Sequence, residues 1–483
     1  MLWLYRSLRA EPPLKYDRSI PYAATECRED THQAGENAME DVLMVDQELR
    51  RALTLWDGMA LAIGSIAGAG ILYLPSLTYV LAGQDVLLVW LGGTLLALPM
   101  LFMFADMVRL IPDGSGIEGF VAHGLGGNVA ATVPLLFLSV VVLGIPAGVL
   151  VAGEYLRAAL GGGRVVQLVG ALAILAVAIA TNLAGASVGA RVQRRVSWAL
   201  LLVVVALCAL SFPDTRQGYS AVIPAFGAPG SILSGIVIAF WAYAGFENLT
   251  FIAGEFRNPR RDFPLVMIVA FLVYGGLIVT LTVIIAALIP RDQVADVSGL
   301  FQLAERIRPA WLATGVIAVF ALTVMQLNAA SWLWGMSRLV HTSARNKRLP
   351  RWFAYVDDRG LPRRAILVLG GVFVIITAIT TAFTDLLISA FTVASSVFLF
   401  LYLLCLVSYL RVTRSYSKRL VYGALFVFLL ATLVSVGLKI LYPIAVFLLA
   451  LFASMTRERR LVSSRPEDTH KAGEQACEEK GKA

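Results

Sequence analysis

Two short stretches of this 483-residue chain carry residue types that could do chemistry inside otherwise featureless apolar sequence. The first is Gly64-Ser65-Ile66-Ala67-Gly68-Ala69-Gly70-Ile71, within the apolar run from Trp56 to Pro75. Glycine costs about 1 kcal/mol against alanine inside a helix and adopts backbone geometry closed to other residues. Gly64, Gly68 and Gly70 together predict a helix that comes apart at this point. An uncoiled turn leaves amide N–H and C=O groups bare, which lipid does not tolerate, so such a break must line a cavity or meet a ligand. A helix restarting near Ile71 presents its positive end there, an arrangement suited to an anion. The pattern predicts a site for the carboxylate of a small zwitterion.

The second stretch is Phe240-Trp241-Ala242-Tyr243-Ala244-Gly245-Phe246-Glu247-Asn248. Glu247 and Asn248 fall in mid-run, where a carboxylate is expensive and usually functional. Gly245 supplies a breakpoint. Glu247 has two readings, a proton carrier or an acceptor that caps the uncoiled turn, and spacing does not separate them.

The elements that must position these stretches follow from composition. Hydrophobic residues make up 58% of the chain and charged residues 15%, far from a soluble domain. Apolar runs of roughly 20 residues, enough to cross a bilayer, recur along it. They predict an all-α membrane protein of twelve transmembrane helices: Leu55–Leu81, Val86–Ile111, Ala131–Leu160, Val166–Asn182, Val192–Phe212, Ser231–Ala253, Phe263–Ile289, Trp311–His341, Ala365–Phe383, Leu386–Leu410, Leu420–Val436 and Ile440–Met455. Helices 1 and 6 are the interrupted ones. Broken helices at matching positions of two halves point to a transport site. The halves, about 55–212 and 231–410, would form a 5+5 inverted repeat within a transporter domain of residues 55–455. Residues 1–54 and 456–483 read as disordered tails.

Lys and Arg set the orientation. One set of loops holds Arg191, Arg194, Arg195, Arg257, Arg260, Arg261, Arg345, Lys347, Arg348, Arg411, Arg414, Lys418 and Arg419, and the opposite set far fewer. The rich side, with both termini, is predicted to be cytoplasmic. Topology also accounts for the formal charge of +8, so no nucleic-acid partner is expected. Cys27, Cys208, Cys405 and Cys477 are scattered, with no metal or disulfide spacing. No Gly-rich loop precedes Lys-Ser or Lys-Thr, so ATP use is not indicated. No nucleophile–base or metal constellation marks an enzyme, and no metal or cofactor is expected. Asn328 and Ser331 could face a cation, but the oxygen ligands a hard ion needs are sparse there. Asp106 and Arg109 read as a local pair, and Glu255 with Arg257 to Arg261 as hinge and ion-pair residues.

The two stretches also carry a resemblance. Gly64 to Ile71 resembles the first-helix signature of the amino acid–polyamine–organocation transporters. Phe240 to Glu247, followed by Gly254-Glu255-Phe256-Arg257-Asn258-Pro259-Arg260-Arg261-Asp262-Phe263-Pro264, resembles their sixth-helix and loop signature. Within that family the chain looks most like bacterial exporters of L-methionine and branched-chain amino acids, through Phe137 to Val140, Gly144 to Ala147 and Leu438 to Tyr442.

The resemblance implies a leucine-transporter-type fold in a bacterial cytoplasmic membrane. It implies an amino-acid substrate held by Ile66, Ala67, Gly68, Ala69, Gly70, Phe240, Trp241, Ala244 and Glu247. The carboxylate would sit on the N–H groups around Ala69 and Gly70, and the ammonium on carbonyls of Ile66, Trp241 and Ala244. Trp241 would lid the substrate, and Trp332 would be a second gate aromatic. Many relatives have a hydroxyl in place of Ala69, and some proton-coupled ones a lysine in place of Leu200.

With no basic or acidic side chain besides Glu247 directed at the pocket, an apolar amino acid is expected, since a charged one would stay unpaired in low dielectric. The function expected is secondary transport by alternating access, with the proton as coupling ion and export of L-methionine, leucine, isoleucine or valine. Import, exchange and a transporter-like sensor without flux are the alternatives.

Overall fold

The computed structural model describes residues 53–463 except 67, 111–115, 212–218, 295–298, 384 and 436, and leaves further side chains undescribed, notably those of 64, 65, 186–194, 241, 385–389 and 458–463. Among the described residues the protein is helical, with one isolated backbone bridge between Leu53 and Phe256 and no strand. Nine segments among them are long and apolar enough to cross a bilayer. The expected tails at 1–54 and 456–483 lie outside the described residues, apart from Leu53, Thr54 and the end of the last helix.

The helices are α1 (Leu55–Ile66), α2 (Ala69–Ala82), α3 (Val86–Leu110), α4 (Gly116–Leu125), α5 (Val133–Leu160), α6 (Arg164–Leu183) and α7 (Ala186–Ser211). After α8 (Pro229–Trp241) comes a 3₁₀ segment, Phe246–Glu255. The chain continues as α9 (Pro259–Leu288), α10 (Ala310–Arg345), α11 (Arg363–Ala382), α12 (Asp385–Val412), α13 (Tyr416–Ser435) and α14 (Leu441–Ser463). α3, with 25 residues, extends about 37 Å at 1.5 Å per residue, more than the hydrocarbon thickness of about 30 Å. Proline opens α8 and α9, where its missing N–H costs nothing and its fixed φ favours the first turn.

Two boundaries differ from the sequence expectation. α14 runs to Ser463, beyond Met455. Leu53 and Thr54, expected in a disordered tail, are ordered. The Leu53 N–H donates to the Glu255 carbonyl at 2.9 Å, and its own carbonyl accepts from the Arg257 N–H at 3.1 Å. Thr54 Oγ1 donates to Asp57 Oδ2 at 2.6 Å and accepts from the Asp57 N–H at 3.3 Å, capping α1.

α9 packs on α1, α2 and α3, and α8 packs on α2 and α3, so both interrupted helices share one group. α5, α6, α10 and α11 form a second group, and α10 spans the gap by touching α1 and the 3₁₀ segment. Buried charges hold the two ends of α3's neighbourhood. At one end Asp85 Oδ1 accepts from the N–H groups of Ala225 at 2.9 Å and Phe226 at 2.8 Å, and its Oδ2 from that of Gly227 at 2.8 Å. Nearby, Arg291 donates to the Val80 carbonyl at 2.9 Å and the Leu81 carbonyl at 3.1 Å, closing the C-terminal end of α2.

At the opposite end, Glu118 of α4 pairs with Arg348 and accepts from Ser343 Oγ at 2.9 Å. Asp106 accepts from Tyr409 at 2.7 Å and Lys418 at 3.0 Å, a long-range tie that its nearness to Arg109 in sequence does not suggest. Glu255, after the second break, accepts from Arg338 Nε at 2.8 Å and Trp334 Nε1 at 3.2 Å, and the guanidinium lies 4.5 Å from the Trp334 ring centroid. Glu255 and Arg338 are each only 2% exposed.

Removing one partner of such a pair strands a charge in low dielectric, at about 3–5 kcal/mol. Glu255→Gln is therefore expected to lower stability by roughly that amount, read as thermal unfolding of the purified protein in detergent. Glu255→Leu combined with Arg338→Met should recover much of the loss, because it strands no charge and leaves only the neutral Trp334 Nε1–H without its acceptor.

Candidate functional site

The first predicted break is present. α1 ends at Ile66 and α2 begins at Ala69. Between them the Gly68 N–H reaches back only to the Ile66 carbonyl, at 2.8 Å, and the Gly68 carbonyl accepts from the Ile71 N–H at 3.3 Å. The first-turn amides of α2 have no acceptor within their own helix. The crowding explains the small residues. A Cβ on Gly68 would stand 2.7 Å from the Asn328 side chain, and one on Gly70 would stand 3.6 Å from Cα of Ala242. The two broken helices thus approach backbone to backbone.

The second break lies where α8 ends. Ala242 and Tyr243 donate in short 3₁₀ fashion to the Ala239 and Phe240 carbonyls, each at 3.0 Å. Gly245 then takes φ +129°, a left-handed conformation that strongly favours glycine. Its N–H is directed at the side chain two residues on, with both Glu247 oxygens at 2.9 Å. Tyr402 of α12 donates to Glu247 Oε2 at 2.8 Å. Thr250 Oγ1 donates to the Glu247 carbonyl at 2.6 Å, and Asn248 Nδ2 to the Ser331 carbonyl at 2.9 Å. The fully buried Glu247 therefore has the bonding of a cap on the uncoiled turn, the second of its two readings.

A cavity lies between the breaks and the second helix group. The space it encloses, counting its mouth, is about 510 Å³. Ile66, Gly68, Ala69 and Gly70 line it on one side, with Ala244 from the second break. Val140, Val141, Gly144, Ile145 and Gly148 of α5 face them, and Met325, Asn328 and Trp332 of α10 and Phe391 and Phe398 of α12 complete the wall. Among these described residues none is charged.

Of the residues expected at the site, Ile66, Gly68, Ala69, Gly70, Ala244 and Trp332 are brought together around this space. Phe240 and Glu247 are not part of its lining. Phe240 packs edge-on against Tyr402, with centroids 5.6 Å apart, because its place at the end of α8 turns the ring toward α12. Glu247 is drawn behind the wall by the Gly245 amide and the Tyr402 hydroxyl. Ala67 and the Trp241 side chain, the expected lid, lie outside the described residues. Trp332 leans on Phe398 at 5.7 Å, and Phe398 stacks on Tyr402 at 6.1 Å. Phe391, Phe398 and Met325 were not singled out by sequence reasoning. They sit in apolar runs without a distinguishing neighbour, and only folding selects which face turns inward.

Loss of the cap is expected to cost stability. Tyr402→Phe should destabilise by about 1–3 kcal/mol, leaving one buried carboxyl oxygen short of a donor. Glu247→Ala should cost more, because it orphans both the Gly245 N–H and the Tyr402 hydroxyl. The double variant should cost less than the sum, since both changes break one network. Thermal unfolding of the three variants in one detergent measures all of this.

The comparisons with known proteins follow the same outline. A sequence profile described as amino acid permease matches residues 53–463. The chain is 29% identical over 409 residues to the L-methionine/branched-chain amino acid exporter YjeH of Escherichia coli, covering 82% of this chain and 94% of that one. It is 24% identical over 378 residues to the branched-chain amino acid permease BcaP of Lactococcus lactis, covering 73% and 81%. It is 26% identical over 392 residues to the vacuolar cationic amino acid transporter 8 of Arabidopsis thaliana, covering 77% and 65%. These relatives carry names of transporters and permeases, not of enzymes. With its repeated apolar helices, the chain is a multi-pass membrane transport protein, and it belongs to the amino acid permease family within the amino acid–polyamine–organocation superfamily.

Proposed function

We propose that the protein is a secondary transporter of neutral, apolar amino acids that works by alternating access and exports L-methionine, leucine, isoleucine or valine in exchange for protons. The observation that carries this reading is the cavity itself. Bare backbone amides at the start of α2 suit a carboxylate, and carbonyls near Ile66, Trp241 and Ala244 suit an ammonium. The rest of the described wall is apolar apart from Asn328, and none of it is charged. A cationic or anionic side chain would find no counter-charge there, at a cost of several kcal/mol. The likeness to exporters and permeases of methionine and branched-chain amino acids supports the same side-chain class.

The full architecture belongs to this proposal. Counting α1 with α2, and α8 with its 3₁₀ continuation, as one broken span each, and leaving out the 10-residue α4 as too short to cross, the helices are consistent with twelve spans, ten in a 5+5 inverted repeat and two more. The excess of Arg and Lys beside α7, α9, α10 and α12 supports cytoplasmic loops there, with both termini on that side of a bacterial inner membrane. α1, α2, α8 and α9 would rock against α5, α6, α10 and α11, opening the midplane site to each side in turn.

Labelled L-methionine counterflow in proteoliposomes tests the substrate. Uptake should be competed by leucine, isoleucine and valine and not by arginine. A protein that moves arginine or polyamines and ignores methionine and leucine would overturn the reading. An imposed pH gradient should drive net methionine flux, and a methionine flux indifferent to that gradient would overturn the proton exchange. Size selection is testable at Gly148, where a Cβ would stand 2.6 Å from Cε of Met325. Gly148→Ala must push that methyl aside within a shared cavity wall. It is expected to weaken methionine binding several-fold with a stability change of less than about 1.5 kcal/mol, because the displaced group is a flexible tip.

A further inference from the structure

Tyr274, midway along α9, is 2% exposed, and its hydroxyl has no hydrogen-bond partner. A buried O–H left unpaired is a cost that folded proteins generally avoid, so it requires an explanation. Its position supplies one. The oxygen lies 3.1 Å from the point where a Cβ on Gly70 would project, a point itself 3.6 Å from Cα of Ala242. The hydroxyl therefore stands at the gap where the first turn of α2 meets the uncoiled end of α8, beside Gly70, which lines the cavity, whereas Tyr274 is set one layer back from it.

Two of the polar groups nearby are already engaged. The Tyr243 hydroxyl is paired with Thr94 Oγ1 at 2.8 Å. Glu247 is held by the Gly245 amide and by Tyr402. Two kinds of donor stand at Gly70, the Tyr274 O–H and the first-turn amides of Ala69 and Gly70 at the start of a 14-residue helix, while the carbonyls of the uncoiled end of α8 are those assigned above to the ammonium. Donors grouped at the positive end of a helix describe a seat for an anion.

Resting on the transport reading above, we infer that Tyr274 is a ligand of the substrate carboxylate. Its O–H donates to a carboxylate oxygen while the Ala69 and Gly70 amides hold the same group from the helix end. The site then requires a free carboxylate, so amino alcohols and esters of the same side chain are poor substrates. Tyr274 lies in an apolar run with nothing in its sequence surroundings to mark it, and only the fold brings it to the break.

The isosteric variant Tyr274→Phe removes the hydroxyl alone. Binding of L-methionine and of L-methioninol, which has an alcohol in place of the carboxylate, is to be measured on full-length wild type and variant in detergent. The variant should bind methionine about tenfold more weakly or worse, as expected for losing a donor to a charged group, and methioninol within about twofold of wild type. Its ligand-free melting temperature should be unchanged or higher, because the O–H satisfies nothing in the empty protein. Unchanged methionine affinity, an equal loss for both ligands, or a lower ligand-free melting temperature would each overturn the assignment while leaving the transport reading standing. A wild type that binds no apolar amino acid at all would overturn both.

Discussion

Peptide groups that belong to no helix, held at the depth of apolar segments, are the constraint on which the rest of this structure depends. A bare amide or carbonyl in such surroundings has no water to turn to. The fold answers in two ways. At the second break it supplies a side-chain acceptor, Glu247, and steadies that acceptor with Tyr402 from a different helix. At the first break the described side chains supply no carboxylate. The opening amides of α2 face a cavity and stand close to Tyr274, so one break is capped from within and the other is left open to a ligand.

The charges are distributed to match. Glu118 with Arg348, Asp106 with Lys418 and Glu255 with Arg338 fasten one end of the helix group, and Asp85 and Arg291 fasten the other. Between them, the described cavity wall is uncharged. Buried ion pairs tolerate little distortion, because each partner separated from the other pays its desolvation cost alone. Apolar contacts are less directional and can slide. A molecule fastened by charge at its ends and packed by apolar surface in its middle can keep its shape while the two helix groups shift. The Glu255–Arg338 pair and the Leu53–Phe256 bridge join the ends of both interrupted helices to each other and to α10.

Aromatic packing divides the roles that polar sequence alone suggested for the cavity. Phe240, Tyr402, Phe398 and Trp332 form a continuous run of ring contacts from behind the second break to the cavity wall. Trp332 and Phe398 present surface to the cavity, whereas Phe240 and Tyr402 back the cap.

The sequence by itself determined the class of the molecule and the location of its irregularities. Apolar runs of spanning length have few other stable fates. Glycines at Gly64, Gly68 and Gly70, and Gly245 beside a mid-run carboxylate, mark interrupted helices because backbone conformation is a local property. Tertiary structure alone decided which side chains face the space between the breaks. Met325, Phe391, Phe398 and Tyr274 lie in segments apolar on every side, where periodicity cannot separate the inward face from the outward one. It also decided partners distant in sequence: Glu247 with Tyr402, Glu255 with Arg338 and Asp106 with Lys418. A charge in the sequence announces that it needs a partner. Which group meets that need depends on how helices far apart in the chain come to lie side by side.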